Sequence, residues 1–212
     1  DRENGAWRPV DPARRSNEAF QTVLKQKLPG LTSKGSPAVR SAARDLAAKL
    51  GVTLDGSANY AIVIDPTQSE RERAACLRQL CLDGDSRARA AIDVGLASDS
   101  DTLRAEARRQ LAKIDPAAGV PQLAGALKSG SPAEQQAAVL ALGDIRDAAA
   151  YAALATILDQ LESGSLPRRL WADAVRSAGA SDNPSLAKRS AAWLAAQAGK
   201  PPLEQFAAAI EG

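Results

Sequence analysis

Histidine is missing from all 212 residues, and so is methionine. Without imidazole the chain lacks the commonest general base, the commonest neutral metal ligand and the side chain that titrates near neutral pH. Cysteine occurs twice, at Cys76 and Cys81, too few to complete a four-ligand zinc site alone. Aromatic residues make up only 3% of the chain, so its 45% hydrophobic content is carried by Ala and Leu. No run of eighteen apolar residues occurs, so no membrane-spanning segment is expected. Every glycine stands singly, which excludes a Gly-rich phosphate loop. An excess of one charge is lacking too: 27 Lys and Arg against 25 Asp and Glu leave a net +2. That is a mixed, solvated surface, short of the basic excess of a dedicated nucleic-acid binder. With no initiating methionine and no signal-type segment, the chain reads as a piece of a longer protein.

What is present forms helix. Few bulky β-formers and abundant Ala, Leu, Arg, Gln and Glu predict helix almost throughout. The helices also repeat. Four segments align from a serine: SPAVRSAARDLAAKL from Ser36, SERERAACLRQLCLD from Ser69, SDTLRAEARRQLAKI from Ser100 and SPAEQQAAVLALGDI from Ser131. Their starts lie 33, 31 and 31 residues apart. Four places after the serine stand Arg40, Arg73, Arg104 and Gln135. Seven places after stand Ala43, Cys76, Ala107 and Ala138; twelve places after stand Ala48, Cys81, Ala112 and Gly143. Two columns that hold only small residues are what close helix–helix contact requires. The serine has a local cause, since its hydroxyl caps free backbone N–H groups and Pro or an acid suits the first turn. Ser131 with Glu134, and Ser69 with Glu72, have capping-box spacing.

Second helical stretches lie between these segments, at residues 86–98, 117–130 and 148–161, each closed by Ser, Gly or Asp turn chemistry. Pro121 is expected in a first turn, where its missing N–H is tolerated. The unit is helix–turn–helix of about thirty-one residues, and such units stack because one hairpin alone cannot bury its apolar face. The chain is therefore expected to be all-α, an α-α superhelix of about five to six helical hairpins. Residues 1–16 read as an irregular lead-in whose Trp7 docks on the first repeat, and 17–212 as the repeat domain. Within it, 36–161 are core repeats and 162–212 atypical capping repeats. Residues 17–28 read as a helix stopped by Pro29-Gly30, and the tail as a short helix. The run "YAIVID", Tyr60–Asp65, alone suggests a strand but falls in register as a helix, and register is followed.

The turn chemistry and spacing of "LDGDSRARAAIDVGL" and "LGDIRDAAAYAAL" resemble the Gly-Asp-x-Arg-Ala junctions of short HEAT-like repeats, the class found in bilin lyases. The resemblance covers Ser36 to Leu161. A longer run, from "KGSPAVRSAARDLAAKLG" to "SLAKRSAAWLAAQAG", is similar to the helical-repeat segment of large bacterial membrane-bound dehydrogenases. There a β-propeller precedes the repeats and a c-type haem domain follows; "LEQFAAAIEG" resembles the link before the haem. That resemblance implies an exported or periplasmic oxidoreductase parent. This chain itself contains no C-x-x-C-H haem attachment and no propeller-like strand series.

The candidate sites are few. Arg40, Arg73 and Arg104 share one register position and read first as a structural ladder to acids such as Asp99 or Asp101. The alternative gathers basic residues of stacked helices (Arg40, Arg44, Arg73, Arg104, Arg108 and Arg169, with Trp171) onto one concave face. Arg71, Arg78, Arg109, Arg168, Arg176, Lys188 and Arg189 extend that set, while Asp45, Glu70, Glu72, Glu106, Glu134 and Asp173 on the same helices dilute it. Cys76 and Cys81, five apart on one helix, have Cα atoms roughly 8–9 Å apart, beyond disulfide reach. They read as two buried, inert thiols. Trp171, Asp173 and Trp193 resemble, in residue type only, the Trp and Asp of HEAT-like alkylpurine DNA glycosylases; packing is the simpler reading of Trp171. No catalytic, cofactor-binding or metal-ligating residue is assigned, and this segment is not expected to be an enzyme. The favoured reading is a non-catalytic scaffold that binds a protein or neighbouring domains of its own chain. The alternative is a polyanion- or DNA-binding module using the basic face.

Overall fold

The structure, a computed structural model, describes residues 2–3, 6–7, 22–24, 26–28, 30–31, 35–50 and 56–198. The side chains of Trp7 and Arg44, most of the expected lead-in and the expected terminal helix lie outside the described residues. Two compact units divide the chain, residues 1–61 and 62–212.

In the first unit, β1 (Arg2–Glu3) pairs antiparallel with β2 (Ala6–Trp7). Residues 22–24, 26–28 and 30–31 are helical, so helix continues at Gly30 and Leu31, past the expected stop. Helix α1 (Pro37–Leu50) opens at Ser36, whose hydroxyl accepts from the Val39 N–H. Its Ala43 and Ala47, one turn apart, bury against Leu28. "YAIVID" is helical from Tyr60 to Ile64, within α2 (Ser57–Ile64), which carries the chain into the second unit.

The second unit is a run of antiparallel hairpins. Its helices are α3 (Glu70–Leu82), α4 (Ala88–Leu96), α5 (Asp101–Ile114), α6 (Pro116–Ser129), α7 (Pro132–Asp144), α8 (Ala148–Glu162), α9 (Trp171–Gly179) and α10 (Pro184–Ala198). A 3₁₀ turn, Arg168–Leu170, leads into α9. Ser69, Ser100 and Ser131 are the N-caps of α3, α5 and α7; Ser131 and Glu134 form the full reciprocal box. Gly84 (φ 62°) and Gly164 (φ 74°) close α3 and α8 in left-handed conformations that favour glycine. From α3 onward each helix packs on the next, and each but α4 also packs on the next but one, giving two layers: α3, α5, α7, α9 and α4, α6, α8, α10. This is an all-α, HEAT-like solenoid.

The interior follows the helical period. Leu103, Ala107 and Leu111 of α5 are buried, as are Ala150, Leu154, Ile157, Leu158 and Leu161 of α8. Each fully buried leucine contributes about 1.5–3 kcal/mol. The small columns allow backbones to meet. Cys76, Ala107 and Ala138 are buried, and a Cβ built on Gly119 would lie 2.2 Å from Ala112 Cα. One on Gly143 would lie 2.7 Å from Ser177 Cβ, and one on Gly95 2.7 Å from Ala107 Cβ.

Two local expectations need correction. Pro121 is the sixth residue of α6, past the first turn, because Asp115 caps the helix and Pro116 takes its first position. It is tolerated on an exposed face, where Ala117, whose carbonyl loses its helical partner, is also exposed. Cys81 is only partly buried, unlike Cys76. Burial, with the charge of Glu106, pushes the Cys81 thiol up to about 11, so it stays protonated at neutral pH.

Candidate interaction surface

The arginine column folds back on its own turns. Arg40 Nη1 donates to the Gly35 carbonyl at 3.0 Å, Arg73 Nε to the Val63 carbonyl at 2.9 Å and Arg104 Nη1 to the Ser98 carbonyl at 2.8 Å. Each thus clamps the segment before its own helix. Gln135, at the same register position in α7, instead accepts from Arg169 Nη2.

Other arginines of this layer reach carboxylates on the neighbouring helix. Arg78 of α3 grips Glu106 of α5 with two bonds of 2.8 Å, a bidentate fork. Glu134 of α7 accepts from Arg104 Nε at 2.8 Å and Arg108 Nη1 at 2.5 Å, both on α5, and from the Ser131 N–H at 2.9 Å. Arg104 also pairs with Asp101. Arg109 of α5 binds Asp144 of α7 at 2.5 Å. Between α7 and α9 the rung changes chemistry: Gln136 donates to Asp173 at 2.7 Å, and Arg176 binds the same carboxylate at 2.5 Å. On the other layer Arg189 of α10 holds Asp159 and Glu162 of α8 at 2.6 and 2.9 Å.

At Glu134 and Glu106 burial acts against ionisation, and their hydrogen-bond donors outweigh it. Hydrogen bonding from Arg104 holds the Glu134 carboxyl far below the usual carboxylate range, against burial and with help from Arg108 and Ser131. At Glu106 burial is the largest single influence and acts upward. Arg78 and Gln110 together overcome it, and the carboxyl sits below its ordinary value. Both acids are therefore ionised at neutral pH and neutralise the wall. Arg71 and Arg168 have no hydrogen bond or ion pair among the described residues.

The sequence-nominated residues thus come together only in part. Arg104 and Arg108 converge on Glu134, and Arg169 lies one helix along. Trp171 donates its indole N–H to the Leu166 carbonyl at 2.9 Å and meets Trp193 edge to face at 5.7 Å. Asp173 is buried and held by Gln136 and Arg176, so Trp171 and Asp173 serve different contacts. Asp99 has no partner among the described residues, whereas Asp101 does. The partners that sequence reasoning missed, Glu106 and Glu134, lie 28 and 30 residues after their arginines. A charge pair offset by about one repeat period was the available signal.

A groove of about 530 Å³ crosses this wall over α5, α7 and α9. Ala105, Ala137 and Leu140 line it, with the Arg109–Asp144 pair and Arg176 among the charged groups beside them. A smaller cavity of about 310 Å³ lies between α5, α6 and α7.

Residues 93–176 match the family model for HEAT repeats. The span runs from Asp93 in α4 to Arg176 in α9 and contains the ladder between α5 and α7 and all of the groove's lining but Ser177 and Ala180. It is a HEAT-like repeat segment. HEAT repeats fit a helical scaffold or interaction module and are typically non-catalytic. No curated protein and no solved structure matches the chain. Among the described residues, no helix is long and apolar enough to cross a membrane, and no group of three or more His, Cys, Asp or Glu could hold a metal.

Proposed function

We propose that this chain is a non-catalytic scaffold whose wall of α3, α5, α7 and α9 receives a protein partner, or a neighbouring domain of the same polypeptide. The observation that carries the reading is the rung pattern. Arg78, Arg104, Arg108 and Arg109 are each engaged by a carboxylate of the next helix in the same layer, and a groove lined largely by small apolar side chains lies beside them. A wall neutralised in this way offers little to a phosphate backbone, whose binding rests on free cations. It offers shape and apolar contact to another protein. Of the residues nominated from sequence, Arg73, Arg104, Arg108, Arg169 and Trp171 are on this reading chiefly the framework of that wall, while Arg40 and Arg44 belong to the first unit.

The finer reading is that the scaffold spaces a propeller-type dehydrogenase module from a c-type haem module in an exported bacterial oxidoreductase. Its support is the resemblance of the repeat run and of "LEQFAAAIEG" to such proteins. The division into a lead-in, core repeats at 36–161 and capping repeats beyond is part of the same proposal.

Photo-crosslinking from inside the expressing cell tests the surface. A photoreactive residue replacing Thr102 or Ala137, both lining the groove, is expected to give discrete protein adducts. The same residue replacing Thr156, exposed on α8 in the other layer, is expected to give none. Adducts only at Thr156, or nucleic-acid adducts at the groove, would overturn the reading.

A further inference from the structure

Arg104 and Arg108 stand one turn apart on α5 and both line the smaller cavity, of about 310 Å³, with Gln122 and Ser129 of α6 and Glu134 of α7. Their guanidinium groups are not equally engaged. Each nitrogen of Arg104 is engaged: Nε is on Glu134, Nη1 on the Ser98 carbonyl and Nη2 on Asp101. Arg108 makes one hydrogen bond among the described residues, from Nη1 to Glu134. Its Nε is buried and has no partner, and Nη2 has none among the described residues either. A guanidinium carries five N–H donors in a fixed fork, and leaving buried donors unpaired is costly. Arg104 is matched by Asp101 as well as by Glu134, so the open donors at this cavity are those of Arg108. Gln122 and Ser129 are exposed and add polar groups to the lining.

Resting on the scaffold reading above, we propose that this cavity receives an acidic side chain, Asp or Glu, of the partner protein, held by the outer Nη2 edge of Arg108. The open N–H donors of one guanidinium suit a single carboxylate. A phosphate dianion would add a second negative charge close to Glu134, which is itself ionised at neutral pH. The planar fork of arginine favours a carboxylate over a neutral acceptor. The pair would form where Glu134 and Arg104 already fix the guanidinium, so little side-chain freedom remains to be lost on binding.

The test is a selection of short, C-terminally amidated peptides against the full chain, followed by affinity measurement on the native protein and on Arg108→Gln and Gln122→Glu. The amide end leaves side chains as the sole carboxylates. Gln122→Glu alters an exposed position and places a competing carboxylate in the cavity, so it reports even if Arg108→Gln folds poorly. Selected peptides are expected to carry an Asp or Glu whose change to Asn or Gln weakens binding at least about tenfold, with a loss of similar size on both protein variants. Peptides that bind both variants as tightly as the native chain would overturn the cavity assignment and leave the scaffold reading standing. A selection that recovers no binding peptide at all would count against both.

Discussion

Gly119→Ala is expected to destabilise the protein by about 3 kcal/mol, although alanine is the better helix former. At this position α6 crosses α5 so closely that a Cβ would lie 2.2 Å from both the Cα and the N of Ala112. The obstacle is backbone, which cannot rotate aside as a side-chain tip can. The two helices must separate, and α6 also packs on α7 and α8, so the shift is not confined to one contact. A loss of that size lowers the melting temperature by about 6–12 °C in a chain of this length. Gly125 is the internal control. It sits in the same helix, is exposed, and a methyl group there would meet nothing within 4 Å. Gly125→Ala is expected to stabilise by about 0.5–1 kcal/mol through helix propensity alone. Thermal unfolding of the two variants therefore gives opposite signs, and equal signs would contradict the crossing at Ala112.

Glu134→Gln is the second large effect, a loss of about 2–4 kcal/mol at neutral pH. The glutamine keeps the shape and one acceptor but leaves Arg108, 17% exposed, facing no carboxylate and Arg104, 22% exposed, with Asp101 alone. The pH dependence has a definite sign. Glu134 has a folded-state pKa far below its unfolded value, so its ionised form stabilises the fold. That contribution is complete above about pH 5 and is lost as pH falls through the unfolded value near 4.3 and below. Urea midpoints of native protein and Glu134→Gln are expected to differ most near pH 7 and to converge towards about pH 3. Glu106, also depressed, still titrates in the variant, so some acid sensitivity remains. A gap that stays constant with pH would show that the carboxylate is not what holds the two arginines.

Much of the fold is legible in the sequence because its causes are local. Ser100 and Ser131 announce helix starts through a hydroxyl and the third residue onward, and the structure places them as caps. The buried column Cys76, Ala107 and Ala138 is readable as a repeat of small residues. "YAIVID" becomes readable as helix only through register, because its local composition favours strand. The errors also have local causes. Pro121 reads as a first-turn residue only while the Asp115–Pro116 start, five residues earlier, passes for the end of the preceding segment.

The wall is less legible. From sequence, Glu106 and Glu134 are charges that dilute their own helices, whereas in the fold they bind arginines of the preceding helix in their layer. Which neighbour a side chain meets depends on how one hairpin stacks on the next, and periodicity alone does not give that rotation. The cavity at Arg108 is a sharper case. Its under-bonded guanidinium arises from the position of α6, whose Gln122 and Ser129 carry no signal of their own.

Arg78, Arg104, Arg108 and Arg109 of this wall are matched by carboxylates rather than free for phosphate. An electrophoretic mobility titration of the native chain with duplex DNA, at low and at moderate salt, measures that directly. Matched rungs predict no saturable retardation even at low salt. Tight binding at low salt that weakens steeply as salt is raised would contradict them.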